Sequence, residues 1–323
     1  MRRPLVGLVA AALLVSVTAA CGSSDSAEPA DSSGDGDTTT IDLAVIPIVD
    51  VAPIYLGVEQ GFYEEQGIEL NLVTAQGGAA IVPGVTSGQY QFGFSNVTSL
   101  MLAQSNNVPV KAVANGVAST GEDGADFGGI VVKGDSPLES AADLEGKKVA
   151  VNTLKNIGDT SVRESVRKAG GDPDAVEFVE MAFDQMPAAL DQGQIDAAWV
   201  VEPALAVVKS QGGRVIASNF VDLAPDLTVA VYFASAEYAE KNPELVAKFQ
   251  EATKASLAYA NNNPDEVREI LSSYTKIPAD LLSEITLPKW PTEPNRASLD
   301  TLAELGANDG LFSTEPDLDA LLP

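Results

Sequence analysis

Apolar and β-branched residues alternate with polar ones from Ile41 to Ile48, which predicts a strand. In the next segment Ile54, Val58 and Phe62 fall at i, i+4 and i+8, the spacing of one helix face, so a helix is expected over Ala52 to Gln66 with Gly67 as its C-cap. A second strand is expected over Ile68 to Thr74. A turn at Gln76-Gly77-Gly78 and a short helix over Ala79 to Ser87 follow, the helix surviving Pro83 and closing at Gly88. A third strand over Gln91 to Ser95 runs into Asn96, a good N-cap for a helix with Val97, Leu100 and Met101 on its inner side. Val110 to Val117 is the fourth strand. Strands and helices in this alternation imply a largely parallel sheet with right-handed crossovers.

A Gly- and acid-rich loop, Gly121 to Asp126, precedes a restart of the same scheme. Strands are expected at 129–133, 147–151, 176–181, 197–201, 215–217 and 228–234. Helical segments fall at 140–145, 159–169, 186–192 and 203–211. Asn242-Pro243 and Asn263-Pro264 each read as an N-cap followed by proline in the first helical position, so the tail is helical. Ser87-Gly88-Gln89-Tyr90-Gln91-Phe92 is echoed by Gln192-Gly193-Gln194-Ile195-Asp196-Ala197, each following a helix and opening a short apolar strand. The strands then end at Ser95-Asn96 and at Glu202-Pro203. Two similarly wound halves would aim strand ends and helix starts at one crevice, where open α/β sheets bind ligands.

Composition narrows the chemistry. Of 323 residues one is cysteine and none is histidine. That removes Ser-His-Asp and Cys-His catalysis, imidazole metal sites, intrachain disulfides and cysteine clusters. No paired-carboxylate motif stands out, so no catalytic residue, metal or cofactor is assigned. A formal net charge of −27 argues against nucleic acid as a partner.

The N-terminus reads as an address. Arg2 and Arg3 precede a nearly all-apolar stretch from Leu5 to Val17, then Thr18-Ala19-Ala20 and Cys21. This resembles a bacterial lipoprotein signal, with cleavage before Cys21 and lipid attached to it. Thr18 stands where such signals prefer leucine. An ordinary secretory signal with a chance cysteine is the alternative. Residues 1–20 are then signal peptide, and their removal takes away two arginines and no acid. Residues 21–40 lack aromatic and large aliphatic residues and read as a flexible tether.

The run Ala52-Pro53-Ile54-Tyr55-Leu56-Gly57-Val58-Glu59-Gln60-Gly61-Phe62-Tyr63-Glu64-Glu65-Gln66-Gly67-Ile68-Glu69-Leu70 resembles the opening of the solute-binding proteins of nitrate, sulfonate, taurine and thiamine-pyrimidine ABC importers. Gly77-Gly78, Ser87-Gly88-Gln89, the stretches 143–151 and 189–199, and Glu202-Pro203 match in the expected order, so the resemblance covers about residues 41–290. It implies an α/β, two-lobed, hinge-closing fold of the type II periplasmic-binding-protein kind, each lobe a mixed, mostly parallel sheet flanked by helices. Lobe 1 is placed at 41–135 and 228–323, lobe 2 at 136–227. The implied function is non-catalytic capture of a small organic solute for an ABC permease and its ATPase. The protein would be a monomer held by lipid on Cys21 at the outer face of the cytoplasmic membrane. A surface sensor of the same fold is one alternative. An enzyme like the pyrimidine synthases or the menaquinone-pathway proteins is another, although the former use a histidine.

Four segments fit the cleft: 49–55, 76–79, 95–98 and 152–159. Lys155 is the one cation in them and, with helix-start N–H groups, suits a sulfonate or carboxylate; it equally fits a solvated helix start. The resemblance to taurine-type members puts an acid at Glu202, facing an amine or aminopyrimidine; a carboxylate favoured by the helix dipole is the plainer reading. Asp50 is similar in kind. Tyr55 could stack on a ring or pack in the core. Gly77 and Gly78 allow close backbone approach. Ser95, Asn96, Thr153 and Asn156 could donate neutral hydrogen bonds, and each also fits an N-cap or turn.

Overall fold

The structure, a computed structural model, describes residues 38–322. The signal segment, Cys21 and all but the last three residues of the expected tether lie outside the described residues. The chain opens as the hydropathy pattern predicts: β1 (Thr39–Val45), α1 (Ala52–Glu59), β2 (Ile68–Thr74), α2 (Gly78–Thr86), β3 (Phe92–Asn96), α3 (Val97–Ser105) and β4 (Val110–Ala118). β1 takes in the last two residues of the expected tether, Thr39 and Thr40. α1 is shorter than expected. The chain leaves it at Gln60, and Gly61 takes a left-handed φ of 80°. Ile54 is buried while Val58 is 41% exposed, so the apolar face does not run the expected length.

The second half is β5 (Gly128–Val132), β6 (Lys148–Val151), α4 (Ile157–Lys168), β7 (Glu177–Glu180), α5 (Met186–Asp191), β8 (Ala197–Val201), α6 (Ala204–Ser210), β9 (Arg214–Ala217) and α7 (Asn219–Leu223). The tail comprises β10 (Thr228–Ser235), α8 (Ala236–Lys241), α9 (Pro243–Asn262), α10 (Pro264–Tyr274), α11 (Arg296–Asn308) and α12 (Leu318–Leu321). Both predicted Asn-Pro helix starts form, but the asparagine side chains turn backwards. Asn242 donates to the Tyr238 carbonyl and Asn263 to that of Tyr259, so each closes the preceding helix.

Two five-stranded sheets result, in the orders β2-β1-β3-β10-β4 and β7-β6-β8-β5-β9. In each, three strands pair in parallel and the fourth is separated from them by one antiparallel strand, β10 in the first sheet and β5 in the second. β4 therefore does not lie beside β3, as simple alternation suggested. The expected assignment of residues 128–132 to the first half is corrected, because this strand pairs with β8 and β9. The chain passes between sheets at 119–127 and 218–227. The sequence echo has a structural counterpart: Gly88 follows α2 ahead of β3, and Gly193 follows α5 ahead of β8. Both are left-handed, at φ 79° and 67°, a conformation glycine adopts without a Cβ penalty.

Aromatic side chains pack against each sheet. Phe92 stacks on Phe249 of α9 at 4.2 Å, and Trp199 in β8 meets Phe183 and Phe220 edge-on at 5.3 and 5.8 Å. Trp199 is 3% exposed, a core residue as its mid-strand place implies.

Candidate functional site

The parallel strands of both sheets end toward one another, so the loops after β1, β2 and β3 face those after β6, β7 and β8. Where the halves touch, Gly77 and Gly78 matter sterically. A Cβ on Gly77 would lie 2.9 Å from Thr153 Oγ1 across the gap, and one on Gly78 would lie 2.1 Å from Ser95 Oγ. Ser95 Oγ donates to the Asn96 carbonyl. Asn96 Oδ1 accepts the Ser99 N–H at 2.9 Å, the N-cap its sequence position suggests. Asn156 caps α4 through the Ile157 N–H at 2.8 Å and also reaches across to Ser99 Oγ, its Nδ2 donating at 2.8 Å. Ser95, Asn96 and Asn156 thus spend hydrogen bonds on the protein itself.

The charged candidates separate further. Lys155 is exposed and left-handed, φ 53°; its N–H donates to Asp159 Oδ2 at 2.9 Å while its side chain meets solvent. Glu202 is fully buried, and both carboxylate oxygens are engaged. Oε2 accepts the Ala206 N–H of α6 at 2.9 Å, and Oε1 accepts the Thr286 N–H of the tail at 3.1 Å. Its carbonyl accepts the Val49 N–H of the opposite half. Burial pushes the Glu202 carboxyl up to about 7, although both N–H groups pull it down. Both of its carboxylate oxygens and its carbonyl are thus held by N–H groups, the last of them across the two halves.

Asp50 is different. It is 2% exposed and its Oδ1 has no partner. Burial raises it to about 7, with the Asp126 carboxylate adding to the rise. Its carbonyl accepts the Trp290 Nε1–H at 3.0 Å. Tyr55 stacks on Tyr274 at 3.9 Å with the rings 7° from parallel, so one of its faces is already covered by protein. Tyr274 in turn donates to the Ile48 carbonyl.

Beside this contact zone lies a cavity of about 730 Å³ shared by both halves. The first half and tail contribute residues 46–48, 74–76 and 274–278; the second contributes 182–184, Pro187, Ala188, Pro203, Ala204, Val207 and Gln211. Its walls are mostly apolar. The two ionisable residues with a formal charge at its lining, Asp184 and Lys276, face each other at 3.4 Å from opposite halves. None of the ten ligand-binding candidates lines it, though Gln76 and Pro203 adjoin Gly77 and Glu202. The apolar faces of α5 and α6 read in sequence as ordinary core, and nothing local marks 274–278 as a wall.

The family model described as NMT1/THI5 like matches residues 48–267. A formylaminopyrimidine-binding protein of Halalkalibacterium halodurans is 24% identical over 221 residues, covering 68% of this chain and 64% of that protein. The taurine-binding periplasmic protein of Escherichia coli is 29% identical over 205 residues, covering 63% and 61%. The chain thus spans less than two thirds of the length of either relative. Among solved structures, the periplasmic aliphatic sulphonate binding protein SsuA of Escherichia coli superposes with a TM-score of 0.71 at 18% identity, covering 87% of this chain and 96% of that one. The periplasmic nitrate-binding protein NrtA of Synechocystis gives 0.72 at 17%, covering 88% and 84%. The fold is that of periplasmic binding proteins, as the sequence leads one to expect.

Proposed function

The chain belongs to the NMT1/THI5-like family, and we propose that it is the solute-capturing component of an ABC importer. A small organic solute binds between two lobes and is handed to a permease and its ATPase without being transformed. One lobe is built on the sheet containing β1 and β10, the other on the sheet containing β5 and β8. The two connections at 119–127 and 224–227 act as the hinge. The observation that carries this reading is the cavity of about 730 Å³, walled by residues of both halves, as a clamp requires. Named relatives are binding proteins for taurine and formylaminopyrimidine, which supports capture over catalysis. The working place is extracytoplasmic, with a monomeric body tethered by lipid on Cys21.

The test pairs affinity with motion. Dyes placed one on each lobe report their distance while solutes are titrated: sulfonates, taurine, nitrate and thiamine-pyrimidine precursors. Saturable closing with micromolar or tighter affinity is expected. Chemical conversion of the bound solute, or saturable binding with no change in the distance, rejects the clamp.

A further inference from the structure

The two halves also meet away from the cavity, along α4. The last turn of this helix carries Arg167, whose guanidinium forks. Nη1 donates to Glu164 of the same helix, and Nη2 donates to Asp309 Oδ1 at 2.8 Å. Asp309 belongs to the other half. It directly follows α11, and its N–H donates to the Leu305 carbonyl at 2.9 Å. Resting on the two-lobe reading above, we propose that Arg167 and Asp309 form a latch, an ion pair by which the chain holds its own halves closed and so sets the fraction of molecules in the closed form before any solute arrives.

Burial gives this pair its weight. The Asp309 side chain is 4% exposed, and its Oδ2 has no partner. A carboxylate withdrawn from water is costly unless a cation stands beside it. Burial pushes the Asp309 carboxyl up, and the Arg167 charge is the largest influence pulling it back. Arg163 acts on it next, but that guanidinium is committed within the second half, to Asp174 at 2.6 Å and to the Pro173 carbonyl at 3.0 Å. Arg167 is therefore the cation that answers Asp309, and it comes from across the gap. Glu164 steadies it, so less side-chain freedom remains to be lost when the halves meet.

The other end of α4 is tied as well. Asn156, its N-cap, donates from Nδ2 to Ser99 Oγ of the first half at 2.8 Å. The two ties stand about 16 Å apart along the helix axis, so they seat the whole of α4 on the first half. The ion pair at the cavity opening is of a different kind. Asp184 and Lys276 lie 3.4 Å apart with side chains 59% and 90% exposed, and water and salt screen such a pair to little.

The latch has an asymmetry that a simple lost contact lacks. Without Arg167, the closed arrangement leaves Asp309 buried and without its cation, and opening relieves it. Without the Asp309 charge, the attraction and the burial cost disappear together.

Single-molecule energy transfer between one dye on each half of the full chain reads this directly, with no solute added and in about 50 mM sodium chloride. Most wild-type molecules should show the short distance. Arg167→Gln should lower the ratio of closed to open molecules at least tenfold, and Asp309→Asn at most threefold. The double variant should match Asp309→Asn alone, the non-additivity expected of a touching pair. Raising the salt to about 1 M should open the wild type and leave the double variant unmoved, a test that needs no single variant to fold. A wild type that stands open without solute overturns the latch. So do an Arg167→Gln chain as closed as the wild type, additive effects of the two substitutions, or indifference of the wild type to salt. Solute capture is judged separately, by whether solutes shorten the distance in the Arg167→Gln chain, and it stands if they do even where the latch fails.

Discussion

Replacing Glu202 by Gln asks what a buried carboxylate contributes when backbone N–H groups hold both its oxygens. Its two oxygens accept the Ala206 and Thr286 N–H groups at 2.9 and 3.1 Å, and the residue is 0% exposed. Glutamine keeps one oxygen and turns an NH₂ toward the other N–H. A buried donor left facing a donor costs about 1–3 kcal/mol. A second, pH-dependent effect opposes this. The carboxyl titrates at 4.5 when unperturbed and at about 7 in the fold, raised by burial. The folded state therefore holds its proton longer than the unfolded chain. The stability this confers is complete below pH 4.5 and is lost as pH rises through about 7. A shift of this size corresponds to roughly 3 kcal/mol across that window, at about 1.4 kcal/mol per unit. Glutamine cannot titrate, so the variant lacks that decline. Urea unfolding of both proteins at pH 5, 6, 7 and 8 should show the largest penalty for Glu202→Gln near pH 5, shrinking toward zero at pH 8. A penalty that stays constant, or grows with pH, refutes the reasoning, because the wild-type carboxyl would then be ionised without cost in the fold.

Asp50→Asn removes a second buried acid raised to about 7, one whose Oδ1 has no partner. By the same sign it should be nearly neutral at or below pH 3.8 and increasingly stabilising as pH rises from there through about 7, read as melting temperature against pH. Gly78→Ala forces a Cβ to within 2.1 Å of Ser95 Oγ and 3.2 Å of its Cα, an overpacking cost of about 1–3 kcal/mol in urea unfolding. Gly77→Ala meets two side-chain ends of the other half, the Thr153 hydroxyl at 2.9 Å and Asn152 Nδ2 at 3.3 Å, so it should cost unfolding stability less than Gly78→Ala while lowering solute affinity a few-fold by wedging the closed halves. Lys155→Ala should change solute affinity less than twofold, because this side chain is exposed and away from the cavity; a tenfold loss would restore it to the site.

Much of the fold was legible because a strand or helix is decided within a short window. The alternation at 41–48, the apolar run at 197–201 and Asn96 before Val97 encode their own backbone hydrogen bonds, and each element formed within a few residues of its expected place. The glycine-centred echo also carried real information, since Gly88 and Gly193 occupy equivalent left-handed turns in two sheets of the same strand order. Ordered motifs spread along the chain were enough to place it in its family.

What the sequence could not decide depends on partners far apart along the chain. β10 inserts between β3 and β4 because sheet order follows the burial of whole faces, which no local pattern records. Glu202 looks identical on paper whether its oxygens face a ligand or two backbone N–H groups; one of those, Thr286, lies 84 residues away. Lys155 sits at a helix start that suits an anion, yet its left-handed backbone leaves the side chain in solvent. The cavity wall at 274–278 comes from the tail and meets residues 182–188 only once both sheets are assembled. Sequence specified the elements and the family through short-range periodicity. The partners of each polar group, and so which residues remain free to meet a solute, were set by long-range packing.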